Sequence, residues 1–514
     1  MKLEGEVDSM MVEGLVGFVT SGGASKLSDA RYIDTRIRNE QSDVIAPKKT
    51  DAFFTMLPTL ADYRGLVGVL GVEVVQGLLL ALNDVVALGE WHPGEELLKQ
   101  ATATEVFQRS FIRTSEAFFA FKNAGSILRG PESEIFGKMS PDFRVMFRLG
   151  GAKNDHNLVF SFDHQSELPK RIAVVIGRNG VGKSQALVHI ARAAITGDED
   201  TLSEATTSRR VSINRLLAFA PTYEAFPPDK RKASSVWYKR FALNRVERFG
   251  RGGAIADLIL QLARHEGNIG TYSRWTIFIN AIQIIRNWEE IALPQTKMEA
   301  PPRELYLLRG IPDTSKANDV NADTPPKHVN DELLDVFSSI DLNSEPVRVV
   351  DGEAYPLSSG EISLLRFAAR ASLYIENGSL LLLDEPETHL HPNFIKQFIV
   401  VLDNMLKLTG SAAVIATHSV YCVREVFSEQ VTVLDVIDGV VRTEPLRLQT
   451  FGADIGAISY FVFGEDEPSP LASDVEERLL KRYQDWEKLY SDYGDELSPK
   501  LLGKLRLELE SGKK

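Results

Sequence analysis

Residues 177–184 read Gly-Arg-Asn-Gly-Val-Gly-Lys-Ser, a spacing suited to holding a polyphosphate. Gly177, Gly180 and Gly182, with Asn179 among them, let the backbone turn tightly and aim its N–H groups at phosphate oxygens. Lys183 can reach the β- and γ-phosphates of a nucleotide, and the Ser184 hydroxyl can ligate Mg²⁺. A second group follows the four leucines 380–383. There, Asp384 is placed to support Mg²⁺, and Glu385 to polarise or deprotonate a water. The plain alternative is a core strand ending in a solvated acidic turn. A third group, Ser358-Ser359-Gly360, precedes the acidic pair and opens an apolar helix. Small and hydroxyl residues there leave backbone donors for an anion, although Ser358 or Ser359 would also serve as a simple N-cap. A fourth, His418, ends the apolar run Ala413–Thr417; it is suited to touching a γ-phosphate or positioning water, or else is structural. The chemistry these groups could share is phosphoryl transfer from a nucleotide to water.

Such chemistry needs strands to deliver the groups and helices to receive the phosphates. Ile172–Ile176 is an apolar run that reads as a buried strand feeding the glycine turn, with a helix over Lys183–Thr196. Phe143–Arg148 and Asn157–Phe162 alternate as strands do. Leu216–Phe219 reads as another buried strand, and Ile362–Leu373 as a helix. Residues 1–135 read as largely helical, strongest at Gly65–Leu88 and Ala103–Leu128. The segment to about 345 reads as a mostly helical insertion, with 312–330 as a polar surface loop. The tail, 473–514, is charged and helical. The resulting organisation is a helical region over 1–140, lobes at 141–220 and 346–465, an insertion at 221–345 and a tail at 466–514.

Composition sets the class. The chain has 514 residues, 44% hydrophobic and 25% charged, enough to bury a sizeable core. Cys422 is the single cysteine, so no intrachain disulfide can form and a cytoplasmic, reducing location is expected. No basic-then-apolar leader opens the sequence. Glu73, Gln76, Asn83 and Asp84 interrupt the most apolar stretch, so no membrane span is expected. The net charge of −13 argues against general coating of nucleic acid. There is no internal repeat and no sustained heptad pattern.

The ordered set resembles the ATP-binding cassette (ABC) superfamily. Residues 177–184 match its Walker A motif, Leu357–Glu361 its signature motif, Leu380–Glu385 its Walker B motif and His418 its switch histidine. The run Asp384-Glu385-Pro386-Glu387 into Leu390-His391-Pro392 is similar to the soluble branch, with its SMC, Rad50, RecF and overcoming-lysogenization-defect relatives. The resemblance covers roughly 145–220 and 346–465. It implies an α/β ATPase head, a mixed sheet with a P-loop core. It also implies a homodimer with two ATPs sandwiched between heads, open to higher assembly. Each site would take Lys183, Asp384, Glu385 and His418 from one subunit and Ser358–Gly360 from the other. Two departures stand out: the signature reads Ser-Ser-Gly-Glu, and the usual Q-loop glutamine has no counterpart beyond Glu224. Phe160 and Phe162 are candidates to stack on adenine, or else core residues.

The size, the non-coiled insertion and the short tail, which leaves little room for a Toprim nuclease, look like PtuA-type ATPases of Septu and retron antiphage systems. That layout implies a sensor or regulator controlling a partner effector, such as an HNH nuclease. The alternative is a DNA repair or recombination ATPase of the RecF or Rad50 kind; a scaffold that binds ATP without turning it over is a third reading. Residues 229–251 carry eight basic residues against Asp229 and Glu247, interleaved with Trp237, Tyr238, Phe241 and Phe249. That pattern suits single-stranded nucleic acid, a helix with a solvated basic face, or docking of an acidic protein. His389 and His391 have metal-like spacing but lack a third ligand. His189 reads as a packed residue.

Overall fold

The computed structural model describes residues 2–3, 10–19, 38, 52–166, 168–229, 234–243, 254–265, 267–295, 305–311, 339–342, 344–388, 391–446, 448–463 and 470–511. The chain forms two compact units, Met1–Ala453 and Asp454–Lys514.

In the first unit Lys2–Leu3 pairs antiparallel with Met10–Met11, and a second antiparallel pair follows, β1 (Leu15–Val19) and β2 (Ala52–Met56). Helices α1 (Leu60–Leu70), α2 (Val72–Ala81), α3 (Val85–Trp91), α4 (Glu96–Ala103) and α5 (Ser115–Asn123) follow. The stretch expected as one helix over Gly65–Leu88 is therefore three. Gly71 at φ 76° and Asn83 at φ 53° are left-handed, a conformation a right-handed helix cannot pass through. Asp84 then caps α3, accepting from the N–H groups of Val86 and Ala87 at 3.0 Å. The second expected segment, Ala103–Leu128, is likewise broken into a π-turn at Phe107–Phe111, α5 and a 3₁₀ stretch at Ala124–Arg129. The β1–β2 pair adds strands to a region expected to be largely helical.

Next come β3 (Asp142–Phe147) and β4 (His156–Ser161). The buried strand β5 (Ile172–Ile176) leads to α6 (Lys183–Thr196). Then β6 (Leu202–Ser203) pairs with β3, and β7 (Arg215–Ala220) and β8 (Trp237–Ala242) follow. Helices α7 (Ile255–Ala263) and α8 (Arg274–Ile282) precede a small antiparallel sheet of β9 (Ile291–Pro294), β10 (Leu305–Leu307), β11 (Val347–Val350) and β12 (Glu353–Pro356). Helix α9 (Ser359–Tyr374) packs on α7 and α8. It is followed by β13 (Leu380–Asp384), α10 (Pro392–Thr409), β14 (Ala412–Thr417), β15 (Val431–Ile437) and β16 (Val440–Pro445). The segment expected as a mostly helical insertion thus carries strands as well as helices, and β8 belongs to the main sheet. The loop expected over 312–330 lies outside the described residues.

The centre of the unit is a seven-stranded sheet in the order β8-β7-β13-β14-β5-β15-β16. Every pairing is parallel except β15 with β16. The interior strands β5, β13 and β14 are buried along their whole length. That is why their sequences run apolar without alternation: helices cover both faces of a parallel sheet. The fold is α/β, with a mixed sheet around a phosphate-loop core. One core cluster joins Phe54 and Tyr63 of the N-terminal helical layer to Phe143, Val175, Leu187, Leu382 and Val414. The N-terminal layer is therefore packed into the sheet's own core.

The second unit contains α11 (Ile455–Phe463), α12 (Pro470–Arg482), α13 (Trp486–Tyr493) and α14 (Pro499–Ser511). Leu479, Tyr483, Leu489, Leu502 and Leu505 form its own small core. Among the described residues no helix is long and apolar enough to cross a membrane.

Candidate functional site

The parallel order places the C-terminal ends of β5, β13 and β14 side by side. In register, Asp384 lies beside Ala416, and Thr417 beside Ile176. The glycine loop, the acidic pair and the histidine therefore emerge at one sheet edge, where α/β folds place their ligands.

The loop's glycines have separate reasons. A Cβ on Gly177 would stand 2.0 Å from the carbonyl oxygen of Leu434 in β15. Gly180 and Gly182 have φ of 82° and 104°, which only glycine adopts without strain. A Cβ on Gly182 would also meet Leu149 at 2.8 Å and His156 at 3.1 Å. Asn179 and Gly180 are exposed at the loop's crest. Lys183 is buried, and its Nζ donates to the carbonyl oxygens of Gly177 at 2.9 Å and Arg178 at 3.0 Å. Burial lowers its pKa, while Glu385, Asp384 and Glu387 act in the opposite sense. The lysine therefore lies within the field of the acidic turn.

Asp384 ends β13. Burial raises its carboxyl pKa to about 6; a hydrogen bond from Ser184 offsets part of that, and Glu385 and Glu387 push it further up. Its Oδ1 is buried without a hydrogen-bond partner. An orphaned carboxylate oxygen beside a serine hydroxyl fits a divalent cation, and Ser184 and Asp384 are the residues that would hold it. Glu385 has φ 44°, a strained conformation for a side-chain-bearing residue that marks functional turns. Its N–H still pairs with Ala416 at 2.8 Å. His418 Nδ1 stands 3.7 Å from Glu385 Oε1 and 3.5 Å from Glu387 Oε1.

One chain thus brings together Gly177, Asn179, Gly180, Gly182, Lys183, Ser184, Asp384, Glu385 and His418. Ser358, Ser359 and Gly360 are engaged elsewhere. Ser358 caps α9 in a reciprocal box with Glu361, which Arg348 holds at 2.6 Å. Ser358 and Ser359 are exposed, while Gly360 lies under the ring of Phe394, 2.5 Å from where its Cβ would be. The simple N-cap reading therefore describes Ser358 within one chain, and the two serines still face outward.

Glu387 has no role in the motif reading, yet it is buried and touches the histidine turn. Its signal was the Asp-Glu-Pro-Glu run; its contact with Thr417 needs the sheet. Phe160 and Phe162 are core residues, packed on Phe143 at 5.2 and 5.7 Å. His189 and His156 both stack on Phe147, at 4.5 Å, in keeping with a packed His189. Glu224 sits exposed in a 3₁₀ turn after β7.

Within 229–251 only 229, 234–243 are described. There the chain is an edge strand paired with β7, not a helix with a basic face. Lys239 lies over the Tyr374 ring at 3.6 Å, and Arg240 donates to the carbonyl oxygens of Tyr223 and Phe226 at 2.6 Å. These two cations serve internal contacts; the remaining six basic residues lie outside the described residues. His391 caps α10 through Asn393, and His389 lies outside the described residues. Among the described residues no cluster of His, Cys, Asp and Glu is arranged to hold a metal by itself.

Residues 277–424 match the family model described as "AAA domain, putative AbiEii toxin, Type IV TA system". That stretch contains Ser358–Gly360, Asp384, Glu385 and His418, but not the glycine loop. The chain is 25% identical to protein ea59 of Escherichia phage lambda over 370 residues, 66% of this chain and 65% of that protein. Over 70 residues it is 39% identical to UvrABC system protein A of Chlamydia muridarum, 14% of this chain and 4% of that protein. Among solved structures, an ATP-binding cassette of an ABC transporter in its ADP conformation aligns with TM-score 0.26 and 14% identity, covering 63% of this chain and 95% of that chain. An SmcHead bound to the C-winged helix domain of ScpA aligns with TM-score 0.26 and 13% identity, covering 60% and 98%.

Proposed function

We propose that this chain binds ATP with Mg²⁺ and hydrolyses it to ADP and phosphate. The observation that carries the reading is the convergence of Lys183, Ser184, Asp384, Glu385 and His418 at one sheet edge. Loop N–H groups and Lys183 would hold the β- and γ-phosphates. Ser184 and Asp384 would hold Mg²⁺, which would supply neutralisation of the phosphate charge. A water attacks the γ-phosphorus in line as the bond to the β,γ-bridging oxygen breaks. Glu385 accepts the proton of that water, and ADP leaves with the bond's electron pair. His418 orients the γ-phosphate side of the site. Calorimetry with ATP, followed by phosphate release, tests the reading; no nucleotide binding by the full chain would end it.

The outward-facing serines of α9 support closure by a second copy, whose Ser358–Gly360 would cover the γ-phosphate. ATP binding would then drive dimerisation, and hydrolysis would reverse it. Light scattering with and without ATP checks this step, and a particle of constant mass would exclude it.

We propose further that this switch acts in antiphage defence, as the sensor or regulator of a partner nuclease or toxin; the matched family model's description contributes its toxin and toxin–antitoxin terms and nothing about phage. A PtuA-like arrangement in Septu or retron systems is the specific form, and its HNH partner would co-purify with the full chain. The likeness to UvrABC system protein A favours the second reading, DNA repair; there, duplex DNA would stimulate turnover.

A further inference from the structure

Glu387 is an acid that the hydrolysis scheme does not use, and only 6% of it is exposed. A buried carboxylate is costly unless its partners compensate. Here the partners come from the histidine turn. Oε1 accepts the Thr417 hydroxyl, in a very short contact, and the His418 N–H at 3.1 Å. The same oxygen lies 3.5 Å from His418 Nδ1. Thr417 Oγ1 in turn accepts the Ser419 N–H at 2.8 Å. Oε2 is buried and has no hydrogen-bond partner. Among the described residues the ion-pair partner of Glu387 is His418.

We propose that Glu387 is the positioning residue of His418, a role that rests on the hydrolysis reading above. One carboxylate oxygen gathers the Thr417 hydroxyl, the His418 backbone and the His418 ring, and so ties the turn after β13 to the turn after β14. Carboxylates only accept hydrogen bonds. Nδ1 faces both Glu385 and Glu387, so the two carboxylates would favour the ring with a proton on that nitrogen. Fixing one ring nitrogen sets the tautomer and orientation of the other, as outer partners do for working histidines. A brace for the backbone alone would need only a neutral acceptor. The ring nitrogen lies at 3.5 Å, beyond ordinary hydrogen-bond length, so the Glu387 charge bears on the ring as an ionic contact only when the ring is protonated.

The test uses the full chain and five proteins: wild type, Glu387→Gln, Glu387→Ala, His418→Ala and the Glu387→Ala/His418→Ala double variant. ATP turnover and nucleotide Kd are measured for each. Glu387→Ala should lower kcat roughly 10- to 100-fold, the range for loss of an orienting partner, with Kd changed by less than about twofold. Glu387→Gln keeps the acceptor for Thr417 and loses the charge, so its kcat should also fall. The double variant should be no slower than His418→Ala by more than about twofold, because both changes remove one unit. Wild-type kcat in Glu387→Gln, multiplicative losses in the double variant, or a matching rise in Kd would each overturn the role. Glu387→Gln decides the case should Glu387→Ala fail to fold. Intact wild-type turnover that both Glu387 variants share removes this role alone; a wild type without turnover removes the hydrolysis reading, and this role with it.

Discussion

His418 Nδ1 lies 3.7 Å from Oε1 of Glu385. The two residues leave the ends of adjacent parallel strands, where the Glu385 N–H continues the ladder to Ala416. The proposed base for water and the proposed group for the γ-phosphate are thereby fixed by sheet pairing, on two strands buried along their length. The rigidity is useful: a misplacement of about 1 Å at such a site can cost about a hundredfold in rate.

Replacing Glu385 by Gln removes the proton acceptor and keeps the shape. Turnover should fall about 10²- to 10⁴-fold, the usual contribution of a positioned base, while ATP affinity is retained. Phosphate release and calorimetry read the two quantities separately. Wild-type turnover in this variant would remove Glu385 from the mechanism.

Lys183→Ala acts on binding. In the described state the amine is satisfied by the carbonyls of Gly177 and Arg178, so phosphate must exchange for those bonds. A bond to a charged group carries about 1.5–3 kcal/mol, or about 10- to 100-fold in Kd. Unchanged affinity by calorimetry would show that the loop does not hold the nucleotide.

Gly177→Ala tests the loop's floor. The new Cβ would meet a backbone oxygen of β15 at 2.0 Å, and β15 is pinned to β5 through Val433 and Ile176. Neither neighbour can yield without breaking the sheet, so overpacking should cost about 1–3 kcal/mol. A lower melting temperature and loss of the stabilisation by ATP are expected. A variant that melts like wild type and still binds ATP would contradict the packing.

Glu376 gives a pH prediction. Burial alone would raise its pKa, but Arg64 and Arg274 outweigh burial and hold it at about 2 instead of 4.5. Arg64 also pairs with Glu134 at 2.7 Å, and Arg274 donates to the Ser372 and Ile375 carbonyls at the end of α9. A depressed folded-state pKa gives stability that is present above 4.5 and lost as pH falls toward 2. At 1.36 kcal/mol per unit the contribution is roughly 3 kcal/mol. Glu376→Gln should therefore lower stability in urea at pH 7, by an amount that stays constant down to about pH 5 and shrinks below it. A difference that grows on acidification would reverse the sign and refute the assignment.

Local signals were enough for the strand–loop–helix units. Ile172–Ile176 and Lys183–Thr196 match the expected bounds, because a fully apolar run and a glycine turn before a helix have few other solutions. The N-terminal region was less legible. Gly71 and Asn83 break its helices by left-handed backbone, and β1 and β2 form by pairing across a long separation. Within the basic stretch after 229, the helix alternative fails for Trp237–Ala242, which becomes a strand because β7 offers an edge, with Lys239 over Tyr374 and Arg240 on the carbonyls of Tyr223 and Phe226.

By itself the sequence determined which residues could carry phosphate chemistry, since glycine freedom, a terminal lysine and paired acids are properties of residue type and spacing. Only the tertiary structure decided that they meet, because strand order is set by helices packing over a common sheet. It also decided what the motifs leave out: Glu387 reaching Thr417 and His418, and Leu434 closing over Gly177. Those contacts join segments far apart in the chain, and no local pattern specifies a contact whose partner is chosen by packing.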